Sequence, residues 1–207
     1  YDWPEDHERQ PGEHAPIPTP DTVGEALYHA LMMNECIRAG DIVELLTHSA
    51  TVNHGGGLRK SRERVWACPV YHARSMGFAL AGGRPVGVAL ACPMIPATEN
   101  ERRGPERDMS ALDALAVVHE DRGELVLMLV NRSAVHGTAP LRIDIQGFEP
   151  VPDVECLALV GRSVTDRNTR DDPDRVAPTG DTLTCSDGKV TVGLPPFSVT
   201  RLRFARR

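Results

Sequence analysis

The chain has 207 residues, of which 41% are hydrophobic and 25% charged, as in ordinary globular proteins. Its net charge of −6 disfavours nucleic acid as a partner, because phosphate binding needs a basic surface. No apolar run reaches the roughly 18 residues that span a membrane, so a membrane partner is not expected either.

The first forty residues predict a loop followed by a helix. Residues 1–20 are rich in proline and lack an apolar period, which indicates a loop. Apolar side chains then recur at helical spacing over residues 23–39. Asp21 or Thr22 is placed to cap this helix, and Gly40 stands where a helix ends.

The next forty residues predict a short strand and a second helix. Residues 41–53 are too many for a strand of ~5–6 residues. We therefore expect a turn or short helix from Asp41 and a buried strand over residues 50–53. The stretch "LRKSRERV" has the composition of a polar loop, and "VWACPVYHARSMGFALAG" predicts a helix that ends before Gly82.

From Arg84 onwards the pattern is typical of an all-β domain. Short apolar runs such as "PVGVALAC", "ELVLMLVN" and "KVTVGL" are separated by turn signals, and "SDGK" is typical of a hairpin turn. About eight strands at this spacing indicate a jelly-roll-like β-sandwich. The stretch "CPMIPATENERRGPERDMS" is a polar loop between the first two strands.

The order of these elements indicates two unlike parts. One strand between two helices cannot close a sheet or a core. Residues 1–82 are therefore most simply the last β/α unit of a (β/α)₈ barrel, which is incomplete here, and residues 83–207 form the β-sandwich. The predicted fold class is α/β plus all-β.

The cysteines indicate the compartment. The chain has five cysteines, which is an odd number; they are widely scattered and form no CxxC pair. This pattern favours free thiols in a reducing compartment over a disulfide framework, so we expect a cytoplasmic protein.

The stretch "HSATVNHGGGLRK" (residues 48–60) combines two histidines, an asparagine, three glycines and two cationic residues. A zinc site needs three or four ligands at recognisable spacing, but His48 and His54 are six residues apart and no HExxH occurs. A Walker loop has its lysine directly after glycine, whereas Lys60 comes three residues after Gly57. Neither a metal nor another cofactor is therefore predicted.

What remains in this stretch is a pair of polar residues at the end of the predicted strand. Asn53 and His54 stand at the C-terminal end of a presumed barrel strand, and that end of a barrel carries the chemistry. The glycines either let the loop turn beside a ligand or make a plain tight turn. Elsewhere, Asn34–Glu35 lies within the first predicted helix and not at a strand end, so a solvated helix face is expected there, and no GxSxG motif exists.

Four stretches resemble the C-terminal part of bacterial α-L-arabinofuranosidases of glycoside hydrolase family 51. They are "EALYHALMMNECIRAGDIVELLTHSATVN", "VWACPVYHARSMG", "DRNTRDDPDRVAP" and "LPPFSVTRLRF". They occur in the same order as in that family, and the likeness covers roughly residues 22–207.

The resemblance implies a retaining glycosidase with a (β/α)₈ barrel and a C-terminal sandwich, acting on terminal non-reducing α-L-arabinofuranosides. Such chemistry needs two carboxyl groups about 5–5.5 Å apart. In the family, one follows an asparagine at the end of strand four and the other belongs to an Asp-Glu-Trp stretch at strand seven. Neither strand-end motif is found here, and "YDWPEDH" looks like the loop after the second. The catalytic pair is therefore expected upstream, the fragment by itself is expected to be inactive, and no residue here is assigned a catalytic role.

The resemblance also suggests substrate-binding residues and partners. The family often has a sugar-contacting Gln three residues before the Val-Asn asparagine, where this chain has Ala50. The missing contact is expected from His48, Asn53 or His54, or else the substrate differs. An arabinose-containing oligosaccharide or polysaccharide is the implied partner, and a homo-oligomer is suggested.

Two alternatives stay open at this point. The first is a non-catalytic carbohydrate-binding or interaction β-sandwich, and the second is a truncated pseudo-enzyme. Glycan-binding sandwiches usually expose aromatic platforms, whereas the predicted sandwich contains Phe148, Phe197 and Phe204 but no Trp or Tyr. This composition disfavours the first alternative.

Overall fold

The computed structural model describes residues 21–96, 99–100, 104–105, 108–134 and 140–207, so the loop predicted for residues 1–20 lies outside the described part. The helices are α1 (Val23–Arg38), α2 (Pro69–Gly77) and a 3₁₀ turn (Phe78–Leu80). The strands are β1 (Leu58–Lys60), β2 (Val65–Ala67), β3 (Arg84–Val86), β4 (Met94–Ile95), β5 (Glu99–Asn100), β6 (Gly104–Pro105), β7 (Met109–Ser110), β8 (Leu112–His119), β9 (Glu124–Asn131), β10 (Leu141–Asp144), β11 (Pro150–Val160), β12 (Thr179–Thr184), β13 (Lys189–Val192) and β14 (Ser198–Arg206).

An antiparallel six-stranded sheet organises the described chain, with the strand order β12-β11-β14-β9-β8-β3. Its central strand β9 pairs with β8 on one side and β14 on the other, so that Asn131 lies opposite both Leu112 and Ser198. The shorter strands form the two-stranded sheets β1-β2, β10-β13, β4-β7 and β5-β6.

One face of the six-stranded sheet forms a β-sandwich core with β10 and β13. Side chains of alternate positions meet there, because successive side chains of a strand point to opposite faces. The buried members of this core include Leu125, Leu127, Leu129, Val154, Leu202, Phe204, Val190 and Val192.

The opposite face of the same sheet is covered by the two helices. Met128 and Val130 of β9 and Val199 of β14 pack in one apolar cluster with Ala26 and Ala30 of α1. Both faces are therefore buried, which explains why "ELVLMLVN" is an almost unbroken apolar run and not an alternating one. The helices and the sheet share this core.

Local signals explain the bounds of α1. Thr22 is its N-cap, and the side-chain oxygen accepts a hydrogen bond from the backbone N–H of Glu25 at 3.4 Å. At the other end the N–H of Ala39 donates to the carbonyl of Glu35 at 2.9 Å. The predicted helix over residues 23–39 is confirmed to within one residue.

The connection between the helices differs from the prediction. Residues 50–53 form no strand, and Val52 makes only an isolated bridge to Leu58. A strand needs a neighbouring backbone along its length, and the described chain places only this short contact beside it. The predicted polar loop "LRKSRERV" instead forms β1, a turn and the first residue of the paired β2.

Two further predictions concern the β region. The "SDGK" turn is confirmed, since Asp187 and Gly188 have φ of 49° and 73° and the backbones of Ser186 and Lys189 exchange two hydrogen bonds of 2.9 Å. It leads the chain from β12 in the large sheet to β13 in the small one. The first predicted strand, "PVGVALAC", is shorter than expected and pairs only over Arg84–Val86.

The described chain is thus mostly β structure with two helices. Its five cysteines are all free, and Cys68, Cys156 and Cys185 are buried. Burial raises the pKa of each of these three thiols, to about 11 for Cys68, which keeps them protonated at neutral pH. Within the described residues, no helix is both long enough and apolar enough to cross a membrane.

Candidate functional site

The predicted site residues lie on residues 48–57, which we call the rim segment. It is the second half of the connection between α1 and β1, and it has no regular secondary structure. Backbone hydrogen bonds close it on itself: the N–H of Gly56 donates to the carbonyl of Ala50 at 3.0 Å, and the N–H of Asn53 donates to the carbonyl of Leu58 at 2.8 Å. The segment is a closed loop whose shape is set by its own backbone.

Two glycines are required for this closure. A Cβ on Gly56 would lie 2.6 Å from the carbonyl oxygen of Ala50 and even closer to the Cα of Thr51. Gly57 has φ of +92°, and a Cβ there would lie 2.7 Å from the backbone nitrogen of Tyr71 on α2. Both glycines therefore allow backbone to approach backbone, which favours the tight-turn explanation for them.

His48 points towards α1. Its Nε2 lies 3.4 Å from Oε1 of Glu25, an ion pair when the imidazole is protonated. Its ring lies edge to face with the ring of His29, with centroids 4.2 Å apart and an angle of 75° between the planes. The imidazole of His48 is thus held between two side chains of one helix.

His29 is a residue that the sequence analysis did not identify. It is 2% exposed on the apolar face of α1, and neither ring nitrogen has a hydrogen-bond partner within the described ranges. Burial lowers its pKa to about 4, with further lowering from the charges of His48 and Arg74. The feature of the sequence that could have identified His29 is a histidine on the helix face that also carries Ala26 and Ala30.

Asn53 uses its side chain inside the protein. It has φ of 57°, a left-handed conformation that asparagine tolerates better than most residues. Its Oδ1 accepts a hydrogen bond from the N–H of Lys60 at 2.7 Å, and its Nδ2 donates to the carbonyl of Lys60 at 3.1 Å. The amide therefore ties the rim segment to the end of β1.

His54 differs from the other two predicted residues. Its side chain is exposed and has no hydrogen bond or ion pair with any residue that the structure describes. Ala50, at the position of the family's glutamine, is also exposed. The structure therefore brings His48 and Asn53 into internal contacts and leaves the imidazole of His54 facing solvent.

Apolar side chains are exposed in the rim segment and in the residues that precede it. Ile42 is 85% exposed, Leu45 79% and Val52 45%. Neighbouring exposed apolar residues are typical of surfaces that other elements cover.

A cavity of about 520 Å³ lies away from the rim segment, between the end of α1 and the start of β8. Its carboxylate Asp113 accepts hydrogen bonds from the Asn34 amide and the Arg38 guanidinium, both at 2.6 Å. Glu35, also on this cavity, pairs with Arg38 at 2.7 Å. Asn34–Glu35 thus lies within α1, as predicted, but the expected solvated face is wrong for Asn34, which is 0% exposed because its amide joins the helix to the sheet through Asp113. Over the described ranges, no three His, Cys, Asp or Glu side chains are grouped so that they could hold a metal ion.

Comparison with known proteins gives consistent matches. A family model described as the α-L-arabinofuranosidase C-terminal domain matches residues 3–198. An intracellular exo-α-(1→5)-L-arabinofuranosidase of Streptomyces lividans is 37% identical over 95 residues, which are 45% of this chain and 14% of that protein.

Solved structures are similar over nearly the whole chain. The family 51 arabinofuranosidase of Xanthomonas axonopodis pv. citri superposes with a TM-score of 0.76 at 20% identity, covering 89% of this chain and 36% of that one. The α-L-arabinofuranosidase of Thermotoga maritima, solved as an arabinose complex, gives 0.74 at 22% identity, covering 90% and 39%. At these identities the likeness shows the fold, and this chain spans less than half the length of the relatives.

Proposed function

Because the chain belongs to the family of α-L-arabinofuranosidase C-terminal domains, we propose that it is the C-terminal portion of a retaining α-L-arabinofuranosidase. The proposed substrates are terminal non-reducing α-L-arabinofuranosides in oligosaccharides or polysaccharides. The observation that carries the proposal is the family match over residues 3–198. The relatives' names support the substrate class, since each is an arabinofuranosidase.

The proposed architecture is the end of a (β/α)₈ barrel in residues 1–82 and a jelly-roll-like sandwich in residues 83–207. The succession of α1, the rim segment and α2 supports the first part. In a complete barrel, neighbouring strands would pair with residues 50–53 and cover exposed side chains such as Val52, which is 45% exposed here. The six-stranded sheet facing β10 and β13 supports the second part.

The catalytic carboxylates are proposed to lie in the part of the barrel that this chain does not contain. Retention needs two carboxyl groups about 5–5.5 Å apart on either side of the glycosidic bond. Glu25 is a carboxylate next to the rim segment, and its Oε1 lies 3.4 Å from Nε2 of His48. The rim segment, residues 48–57, contains no Asp or Glu and therefore supplies a sugar contact through His54, and the acid and nucleophile come from elsewhere.

Within the rim segment, His48, Asn53 and His54 remain the proposed substrate-binding residues, with different tasks. A neutral imidazole both donates and accepts a hydrogen bond, which suits adjacent sugar hydroxyls. His54 has an exposed ring for this purpose. Asn53 and His48 support it by holding the backbone on either side, through Lys60 and Glu25 respectively.

The compartment is proposed to be the cytoplasm. The Streptomyces lividans relative is named an intracellular enzyme. Five free cysteines, three of them buried, suit a reducing environment.

An assay on a chromogenic α-L-arabinofuranoside tests the proposed function. A protein that joins this chain to the remaining β/α units of the barrel should release the chromophore, and NMR of the first product should show retained anomeric configuration. The 207-residue chain by itself should show no turnover. Inversion, or hydrolysis by the chain alone above an inactivated control, would contradict the proposal. Tight binding of arabinan by the chain alone, without hydrolysis in either form, would favour a binding module instead.

His54→Ala tests the assignment of the sugar contact in the same longer protein. Loss of a hydrogen bond to a buried sugar hydroxyl should lower kcat/KM by a factor that corresponds to roughly 1–3 kcal/mol of transition-state stabilisation. The melting temperature should hardly change, because an exposed ring buries little surface. Unchanged kcat/KM together with a lower melting temperature would instead assign His54 a structural role.

A further inference from the structure

A buried imidazole without a described hydrogen-bond partner needs an explanation. His29 is 2% exposed, and both of its ring nitrogens are unpartnered among the residues that the structure describes. Burying a polar group without compensation costs free energy, and an apolar side chain at this position would avoid that cost. The contact that distinguishes His29 from its apolar neighbours on α1 is its ring packing on His48.

Two residues of α1 jointly fix the side chain of His48. Glu25 and His29 are four residues apart, so they lie on one face of the helix. Glu25 approaches Nε2 of His48 at 3.4 Å, and the His29 ring packs edge to face against it at 4.2 Å. The imidazole of His48 is therefore constrained in both position and tilt at the start of the rim segment.

The other end of the rim segment is held by α2 and by its N-cap residue, Cys68. Nη1 of Arg74 donates to the carbonyl of Gly56 at 3.4 Å, and the N–H of Cys68 donates to the carbonyl of Gly57 at 2.7 Å. The charge of Arg74 also acts on His29. His54 thus lies between one attachment to α1 and another to α2.

We propose that His29 is a positioning residue, which seats His48 on α1 and thereby sets the place of His54 at the sugar site. This inference rests on the proposed function, because the rim segment contacts sugar only if that function is right. The ring packing of His29 supplies a lateral restraint that the single contact to Glu25 lacks. Neither nitrogen of His29 is required for this task, so the aromatic ring is the feature that matters.

Amide hydrogen exchange in the 207-residue chain tests the positioning role without any assay of activity. Three amides report on the rim segment: Gly56, Leu58 and Lys60, whose N–H groups bind Ala50, Thr51 and Asn53. His29→Leu, which removes the ring, should speed their exchange about tenfold or more through local opening. Amides at the centre of β9 should be unaffected. His29→Phe, which keeps the ring, should restore slow exchange.

Tyr28→Leu is the matched control, because Tyr28 is the neighbouring residue on α1 and is 58% exposed. It should leave exchange in the rim segment unchanged. Unchanged exchange in His29→Leu would overturn the proposal, as would equal acceleration in β9, since that would mean general destabilisation. If His29→Phe behaved like His29→Leu, the ring would not be the positioning feature, which would also overturn it.

A kinetic measurement in the longer protein links the positioning to sugar binding. His29→Leu should raise KM for the arabinofuranoside about tenfold while kcat stays within about twofold, because binding is lost and the chemistry is untouched. An unchanged KM despite faster rim exchange would overturn the link to the sugar. Absence of any turnover in the unmodified longer protein would reject the proposed function, whereas the exchange experiment would still decide whether His29 holds the rim segment.

Discussion

The side chains of the rim segment have separate tasks. Asn53 binds the backbone of Lys60 through both ends of its amide, and His48 faces Glu25 and His29. His54 remains exposed. Three residues that look equally suited to binding a sugar are thus divided by their contacts into two that hold a loop and one that is free to bind.

The lowered pKa of His29 predicts a pH dependence of stability. In the unfolded chain the pKa is near 6.5, and in the folded chain it is about 4. Well above pH 6.5, His29 is neutral in both the folded and the unfolded state and does not lower the free energy of unfolding. As the pH falls from 6.5 towards 4, the unfolded state binds a proton that the folded state does not, which lowers the free energy of unfolding by up to roughly 3 kcal/mol.

His29→Leu should remove this contribution. Urea unfolding at pH 7 and pH 4.5 should show a smaller acid-induced loss of stability in the variant than in the unmodified chain. Tyr28→Leu, which changes no titratable histidine, should keep the larger loss. Equal losses in all three proteins would show that the proton affinity of His29 is the same in the folded and unfolded states.

At the level of elements, the rim segment is a loop that its glycines make possible. Gly56 has backbone atoms of Ala50 and Thr51 where a side chain would begin. Gly56→Ala should therefore strain the loop and destabilise the chain by roughly 1–3 kcal/mol, as overpacking does elsewhere. Gly87→Ala is the matched control, since a Cβ on Gly87 would have no atom within 4 Å. Calorimetry should show a lower melting temperature for Gly56→Ala than for Gly87→Ala. Equal melting temperatures would exclude the close approach of the Gly56 backbone to Ala50 and Thr51.

At the level of the whole molecule, the six-stranded sheet is covered on both faces. Leu127 faces the core with β10 and β13, while the next residue, Met128, faces α1 and α2. Leu127→Ala and Met128→Ala should each cost about 2–5 kcal/mol in the free energy of unfolding, because each leaves a cavity in a packed core.

Val160→Ala provides the comparison for this pair, since Val160 lies on β11 and is 37% exposed. Chemical denaturation should show a clearly smaller loss for it. If Met128→Ala were as mild as Val160→Ala while Leu127→Ala remained costly, the helices would not cover that face of the sheet in solution.

The sequence by itself determined the features whose causes are local. Helical periodicity and the Thr22 cap determined the position of α1, and the "SDGK" stretch determined a turn with two left-handed residues. The order of the motifs indicated the family.

Only the tertiary structure decided which residues the rim segment contacts, because Glu25, His29 and Lys60 are brought to it by folding. It also decided that residues 50–53 form no strand, since pairing depends on a neighbouring backbone, and that the helices cover the second face of the sheet. Apolar runs in β8 and β9 indicate burial on both faces, but they do not indicate which element supplies the cover.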